Sequence, residues 1–507
     1  MAMKIYQDPA GEWLNEADIT ALLAERFPVE AGSRRQRRIS YYDSFDWRLY
    51  RKSLALIQSG QQWELVDLNA GETVLAKAAH RGAARFAEDF PESDLKVRLG
   101  KILEMRALLQ LCEVRIEEEY FRMLDGRQKT VARVIRTRMA AGPDEAGCFL
   151  RISPLRGYQT AAREVEAFLE EKQLTPRESS MYQLALKLSG KQPGDYSSKF
   201  AIELPPELPA AAALQRILRV LREVMQQNEP GVIADIDSEF LHDFRVAVRR
   251  TRSALGQLKG VFAAERLAQF RSDFAEIGKA TNLLRDLDVY LLDRRHYEAM
   301  LPETLQGALA PLFTHLEAER GKALRQVTDM LRSRRYARQM ARWEAFLAQE
   351  ADSAPGPDAG RPVIELARER IRQRYQRILK RGGKINQRSP DAKLHRLRID
   401  CKKLRYLLEF FNSLFPGEKM SRLIKQLKKL QNHLGRFQDI CVQEEALLAF
   451  AGAMPGGSDD SDRTTLLAIG CLVGMLHQQK QEVRSHFAET FEDFATAENG
   501  ELWAHRA

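Results

Sequence analysis

Two stretches of this 507-residue chain are copies of one amphipathic motif: LHDFRVAVRRTRSALGQLKGVF from Leu241 and LHRLRIDCKKLRYLLEFFNSLFP from Leu394. Each has a sequel, LLRDLDVYLL from Leu283 and GRFQDICVQEEAL from Gly435. His242 and His395 lie 153 residues apart, and so do Asp286 and Asp439. One offset shared by two separate motifs means that a single unit was duplicated with its internal spacing intact. Both halves also open alike, with LQRILRVLREVMQQ from Leu214 and VIELARERIRQRYQRILK from Val363. Their apolar residues recur at spacings of three and four, the pattern of a helix that buries one face. The C-terminal part of the chain is therefore restricted to two helical halves of like architecture.

The segments FRSDFAEIGKATNLL, LPETLQGALAPLFTHLEAER and RLIKQLKKLQNHL also predict helix, and no strand is expected after the first linker. Ser389 before Pro390, and Asp237, are the expected N-caps of the two basic helices. Turn formers crowd residues 189–200 (with ELPPELPA after them), 351–362 and 455–462, which read as two linkers and a polar loop. These divide the chain into an α+β block at 1–195, a first helical repeat at 206–350 and a second at 361–507. In the first block VRIEEEYFRML, KTVARVIRTRM and CFLRISPLRGY alternate as strands do, and TAAREVEAFLEEKQL reads as helix. ISYYDSFDWRLYRKSLALIQS with GQQWELVDL reads as strand, turn, short helix, strand, strand. The fold class is thus an N-terminal α+β domain with an antiparallel, tunnel-like sheet, followed by an all-α domain of two bundles related by a pseudo-twofold axis.

On a helix, positions 242, 245, 249 and 252 form one stripe. They are His242, Arg245, Arg249 and Arg252; the second copy supplies His395, Arg398, Lys402 and Arg405. Arg250 and Lys403 flank the stripes. Phe244, Val248, Leu255 and Leu258, and Leu397, Cys401, Leu404 and Leu408, make the apolar side. Like charges at this spacing repel by about a few tenths of a kcal/mol per exposed pair. A chain that carries this term twice gains from a bound polyanion, which arginine forks and lysine point charges match well. The plainer alternative is two solvated helix faces. For the histidines the alternative is a packing hydrogen bond to Asp286 or Asp439, two aspartates read as structural groups that orient arginines such as Arg285. Lys425, Lys428 and Lys429 share a helix face with Asn432, whose place Lys279 takes in the first copy; they widen the patch, or lie on an ordinary exposed face.

A chain of this length holds two or three domains. Its composition, 44% hydrophobic and 29% charged, is that of a globular protein, and no apolar run is long enough to span a bilayer. MAMKIYQDPAGEW shows no secretory signal. Five scattered cysteines (Cys112, Cys148, Cys401, Cys441 and Cys471) form neither a metal motif nor a disulfide framework, which fits a reducing cytoplasm. A net charge of +9 favours an anionic partner without naming it.

LHxxRVxxRRxRSxL with RDxDV, and LHxLRxxxKxLRYxLExF with LQxxLGxxxDxxV, resemble the CHAD family (conserved histidine α-helical domain) over about residues 206–507. The resemblance implies two bundles whose basic faces line a central cavity that binds inorganic polyphosphate, with the two stripes facing the polymer. Two departures, Gln438 opposite Arg285 and ATNLL opposite HLG, point to an asymmetric patch. Residues 41–56, YYDSFDWRLYRKSLAL, resemble the CYTH family, a triphosphate-tunnel fold, and KTVARVIRTR and CFLRISPLRGY resemble its basic tunnel strands. The glutamate-x-glutamate-x-lysine metal motif of that family is missing from MKIYQDPAGEWL. Glu117 and Glu119 alternate on one strand face as a substitute pair for a divalent metal, or as a partly solvated face. Arg133, Arg136 and Arg138 hold a phosphate-rich ligand or pair with nearby acids.

The expected function is polyphosphate binding in a cytoplasm, on polyphosphate granules or free, with no membrane partner, no catalytic residue and no cofactor. One alternative is a metal-dependent triphosphatase or polyphosphatase in the N-terminal domain, which alone requires a divalent ion. The other is nucleic-acid binding, disfavoured because no aromatic residues interleave with the stripes.

Overall fold

The computed structural model describes residues 4–7, 14, 18–69, 72–142, 146–178, 180–350, 355–454, 460–496 and 499. Residues 351–354 of the second linker, 455–459 of the polar loop and much of the stretch that lacks the metal motif lie outside them. The chain forms two compact units, Met1–Ser198 and Lys199–Ala507.

The first unit is an antiparallel sheet of nine strands: β1 (Lys4–Gln7), β2 (Val29–Asp43), β3 (Leu54–Ser59), β4 (Gln62–Asp67), β5 (Thr73–Ala79), β6 (Leu109–Leu124), β7 (Thr130–Ala140), β8 (Ala146–Pro154) and β9 (Thr175–Glu178). Their order is β5-β4-β3-β2-β6-β7-β8-β1-β9. Helices α1 (Ile19–Ala24), α2 (Asp94–Leu103), α3 (Gln159–Glu171) and α4 (Met181–Leu188) accompany it. The long strand β6 changes its buried side midway. Val114 and Ile116 pack with Tyr41 and Tyr182, whereas Phe121 and Met123 pack with Val134 and Phe168. The change coincides with a register shift against β2 between Ala31 and Arg34, an extra-residue bulge that re-aims side chains. Gly32 occupies that bulge, where a Cβ would sit 2.9 Å from the Tyr120 carbonyl oxygen.

The second unit is helical: α5 (Ala210–Ile233), α6 (Ser238–Gln257), α7 (Ala264–Ala280), α8 (Asn282–Leu292), α9 (Arg294–Met300), α10 (Ala310–Arg332), α11 (Arg334–Ala348), α12 (Val363–Gly382), α13 (Asp391–Phe410), α14 (Glu418–Ala453), α15 (Asp460–Ser485) and α16 (Phe487–Phe494). No strand occurs in it among the described residues. The starts of α5, α6 and α11 recur 153 residues later at the starts of α12, α13 and α16. The repeats exchange backbone bonds reciprocally where they begin: Ala210 N donates to Arg361 O at 2.9 Å, and Val363 N to Leu208 O at 2.9 Å.

The copies part company in one region. The second holds α14 as one unbroken helix, whereas the first splits the equivalent length into α7, α8 and α9. Thr281 marks the first break. Its buried hydroxyl donates back to the carbonyls of Ile277 and Gly278, a local bond that bends helices, where the second copy has Leu434. Asp237 caps α6 as expected, accepting from the amides of Glu239 and Phe240. Ser389 does not cap α13: its hydroxyl accepts from Asn386 N, and Pro390 begins the helix without a side-chain cap.

Close packing against α16 depends on Gly382, where a Cβ would fall 2.0 Å from the Phe491 ring. Gly382→Ala is expected to destabilise the helical unit by about 1–3 kcal/mol through overpacking. A lowered denaturation midpoint followed by far-ultraviolet circular dichroism checks this.

Candidate polyanion-binding cavity

Helices α6 and α13 meet on their basic sides. Gln257 donates to the Lys403 carbonyl at 3.0 Å, and the Arg250 guanidinium grips one oxygen of Glu409 through Nε and Nη2 at 3.0 and 2.8 Å. Arg405 holds the other oxygen of Glu409 at 2.6 Å, so this carboxylate staples both helices. Beside it lies a cavity of about 750 Å³. His242, Arg249 and Arg250 of α6, Arg398, Lys402 and Arg405 of α13, and Arg436 of α14 line it. Six arginine and lysine side chains thus face two carboxylates, Asp293 and Asp439.

Several of these cations are poorly satisfied. Arg398 reaches Asp439 at 3.3 Å, but the Nε of Arg398 and that of Arg249 are buried without an acceptor. No hydrogen bond or ion pair joins Arg249, Lys402 or Arg436 to any described residue. Buried N–H groups with no acceptor are rare in folded proteins, and each calls for an explanation. Burial, reinforced by Arg398 and Arg249, pushes the Lys402 amine down to about 8, although Asp439 pulls the other way. Burial raises the Asp439 carboxyl against the pull of Arg398 and Lys402.

The sequence stripes reach this cavity only in part. His242, Arg249, Arg250, Arg398, Lys402 and Arg405 line it; the remaining expected residues do not. Arg245 is diverted by the helix break: it donates to Thr281 Oγ1 at 2.7 Å and Asn282 Oδ1 at 2.8 Å, and burial with Arg249 beside it lowers its guanidinium to about 10. Arg252 is exposed and lies over Gly278, and Lys279 is exposed. His395 pairs with Gln438 at 2.6 Å, not with an aspartate. Lys403 turns to another face of α13, beside Arg374, Arg377 and Arg381. Lys425, Lys428 and Lys429 are exposed on α14 before the stretch that lines the cavity, and Lys429 pairs with Asp493. The asymmetry expected from ATNLL therefore has a local cause, the break at Thr281.

Sequence reading missed Arg436, Asp293 and His296. Arg436 stands one turn after Asn432 and three residues before Asp439, a helical stripe that identifies it. Asp293 and His296 gave no such signal. They reach the cavity because the first repeat breaks again at Asp293, where the second continues as helix through Ala446 and Ala449.

In the first unit, a smaller cavity of about 430 Å³ is lined by Arg34, Arg136 and Arg138 with Glu117 and Glu119. Glu119 is held between Arg34, at 2.5 Å, and Arg136, and Glu117 accepts from Gln36 at 2.8 Å. Arginines thus occupy the place of a cation beside Glu119. Among the described residues no group of three or more histidine, cysteine, aspartate or glutamate side chains is placed to hold a metal. The antiparallel sheet is consistent with a CYTH-like tunnel. No helix of the described residues is long and apolar enough to cross a membrane.

Comparison with known proteins agrees with this architecture. The CHAD domain model matches residues 216–448. The crystal structure of the CHAD domain from the plant Ricinus communis superposes with a TM-score of 0.50 at 26% identity, covering 58% of this chain and 96% of that one. Two proteins of Mycobacterium tuberculosis named as uncharacterized, from strains CDC 1551 / Oshkosh and H37Rv, are each 26% identical over 316 residues, 60% of this chain. The match spans 58% of those relatives' length. By its duplicated motifs, its matching family model and its fold, the helical unit of this chain carries a CHAD domain.

Proposed function

We propose that the helical unit binds inorganic polyphosphate in the cavity between α6, α13 and α14. One observation carries the reading: among the described residues Arg249, Lys402 and Arg436 have no acceptor, and the Nε groups of Arg249 and Arg398 are buried unpaired, all around one space. Phosphate oxygens supply the missing acceptors at every step of a linear chain, and a polymer meets several of these donors at once. Nucleic acid fits less well. Of the Phe, Trp and Tyr side chains among the described residues, only Tyr406 lines the cavity, so it offers no stacking platform. A catalytic role for the first unit is not favoured, because Glu119 is already paired with two arginines. A cytoplasmic location on polyphosphate granules belongs to the same proposal.

The test is a titration with long-chain polyphosphate at rising salt, with RNA as competitor at matched charge concentration. Polyphosphate is expected to win and to weaken steeply with salt. Equal binding of RNA would contradict the reading.

Lys402 makes the affinity depend on pH. Its amine, near pH 8 in the free cavity among Arg249, Arg398, Arg405 and Asp439, is driven back up by a polyanion, so binding takes up a proton above pH 8. Affinity is expected to be level below pH 8 and to fall by up to about tenfold per pH unit above it, since one proton is linked. Lys402→Arg keeps the charge and is expected to flatten the profile.

A further inference from the structure

A second cationic cluster lies where the end of α6 meets α12, beside Leu407 of α13. Its pocket, about 190 Å³, is about a quarter of the volume of the main cavity. Lys259, Arg370, Arg374 and Arg377 line it together with Gln257. We infer that this seam is a separate, compact site for a terminal or free phosphate group.

Three observations support it. First, the cations outnumber their partners: Arg374 bonds Asp400 at 2.9 Å and Arg370 bonds Asp358 at 2.9 Å, but no carboxylate pairs with Lys259 or Arg377 among the described residues. Burial, with Arg374, Arg377 and Arg381 beside it, also lowers the neighbouring Lys403 amine, a repulsion that an anion relieves. Second, both kinds of hydrogen-bonding atom are orphaned here. The Nε of Arg370 is buried without an acceptor, and the Oε1 of Gln257, a residue 7% exposed, is buried without a donor. An internal phosphate of a polymer only accepts hydrogen bonds. A hydrogenphosphate or the end group of a phosphate chain accepts from arginine and, while it keeps its second proton, which a free group loses as the pH rises through about 6, also has an O–H to donate. Third, the pocket is not part of the duplicated pattern. The positions 153 residues before Arg370, Arg374 and Arg377 are Ile217, Leu221 and Val224, so these three arginines are present in one copy only.

The ligand has two possible sources, a free phosphate or pyrophosphate and the end of a polyphosphate chain. Calorimetric titration of the full chain with pyrophosphate tests the site, in an Arg398→Gln/Lys402→Gln background that weakens the main cavity. Pyrophosphate binding is expected to persist there and to fall at least tenfold when Lys259→Ala/Arg377→Ala is added. Both of the added substitutions fall on exposed side chains that pair with no described carboxylate, so the melting temperature should not move. Long-chain polyphosphate, titrated into Lys259→Ala/Arg377→Ala alone, then separates the sources: a several-fold loss assigns the chain end, and no loss assigns a free anion. Pyrophosphate binding that disappears with the cavity pair, or survives the added pair, overturns the inference and leaves the reading of the main cavity untouched.

Discussion

Replacing Arg249, Arg398, Lys402 and Arg436 together by glutamine is expected to lower the affinity for long-chain polyphosphate by about a thousandfold. A hydrogen bond to a charged group contributes about 1.5–3 kcal/mol, and the figure falls toward about 1 kcal/mol where water reaches it. Four such contacts at about 1 kcal/mol each correspond to about three decades in the dissociation constant. The logarithmic salt dependence should become shallower by about one for each phosphate contact removed. Stability should change little, because Arg249, Lys402 and Arg436 pair with no described residue, Lys402 is already strained by burial and by Arg398, and only the 3.3 Å pair of Arg398 with Asp439 is lost. Calorimetry at several salt concentrations reads both effects.

The largest expected loss of stability lies elsewhere, at Arg320 of α10. This guanidinium binds Asp288 of α8 at 2.7 Å and both oxygens of Asp235, in the turn between α5 and α6, at 2.9 and 2.6 Å. Asp288 is 3% exposed, so Arg320→Ala leaves a buried carboxylate without its counter-charge, at a cost of about 3–5 kcal/mol. Burial already raises the Asp288 carboxyl, with Arg320 opposing; without Arg320 it rises further. A raised carboxyl binds its proton more tightly in the folded state than in the unfolded one, so the deficit should shrink as the pH falls. At the positions 153 residues on, the second repeat carries Cys441 in place of Asp288 and Val473 in place of Arg320. Arg320→Val combined with Asp288→Cys is therefore expected to recover much of the loss. Denaturation midpoints of the two variants decide it; equal losses for the single and the double change would refute the account of this network.

The helical architecture was legible because duplication and a 3.6-residue period are both written along the chain. Asp237 was readable as a cap for the same reason, being a local signal. What escaped was non-local. Whether an arginine of the stripe reaches the cavity depends on what stands opposite it on another helix. Arg245 and Arg398 occupy equivalent places, yet Thr281 captures the first, while Leu434 leaves the second free to turn inward. Nothing in the spacing of the stripe itself contains that difference. His296 enters the site only because α9 departs from the path of α14, and Lys403 leaves it because it stands on the side of α13 that carries Asp400, the carboxylate held by Arg374 and Arg381 of α12. In the first unit, strand alternation was read correctly in β6, β7 and β8, but the pairing of Arg34 and Arg136 with Glu119 follows from strand order, which single strands do not reveal.

The central claim is that the enclosed cations, and not basic charge in general, hold the polyanion. The most direct measurement compares two variants that remove equal charge: Arg249→Gln/Arg398→Gln/Lys402→Gln/Arg436→Gln inside the cavity, and Arg252→Gln/Lys279→Gln/Lys425→Gln/Lys428→Gln on exposed faces outside it. Titrated with the same long-chain polyphosphate at one near-physiological salt concentration, the first should lose about three decades of affinity and the second less than one. Equal losses in the two would show that the ligand reads only net charge, and the cavity would then have no special part in binding.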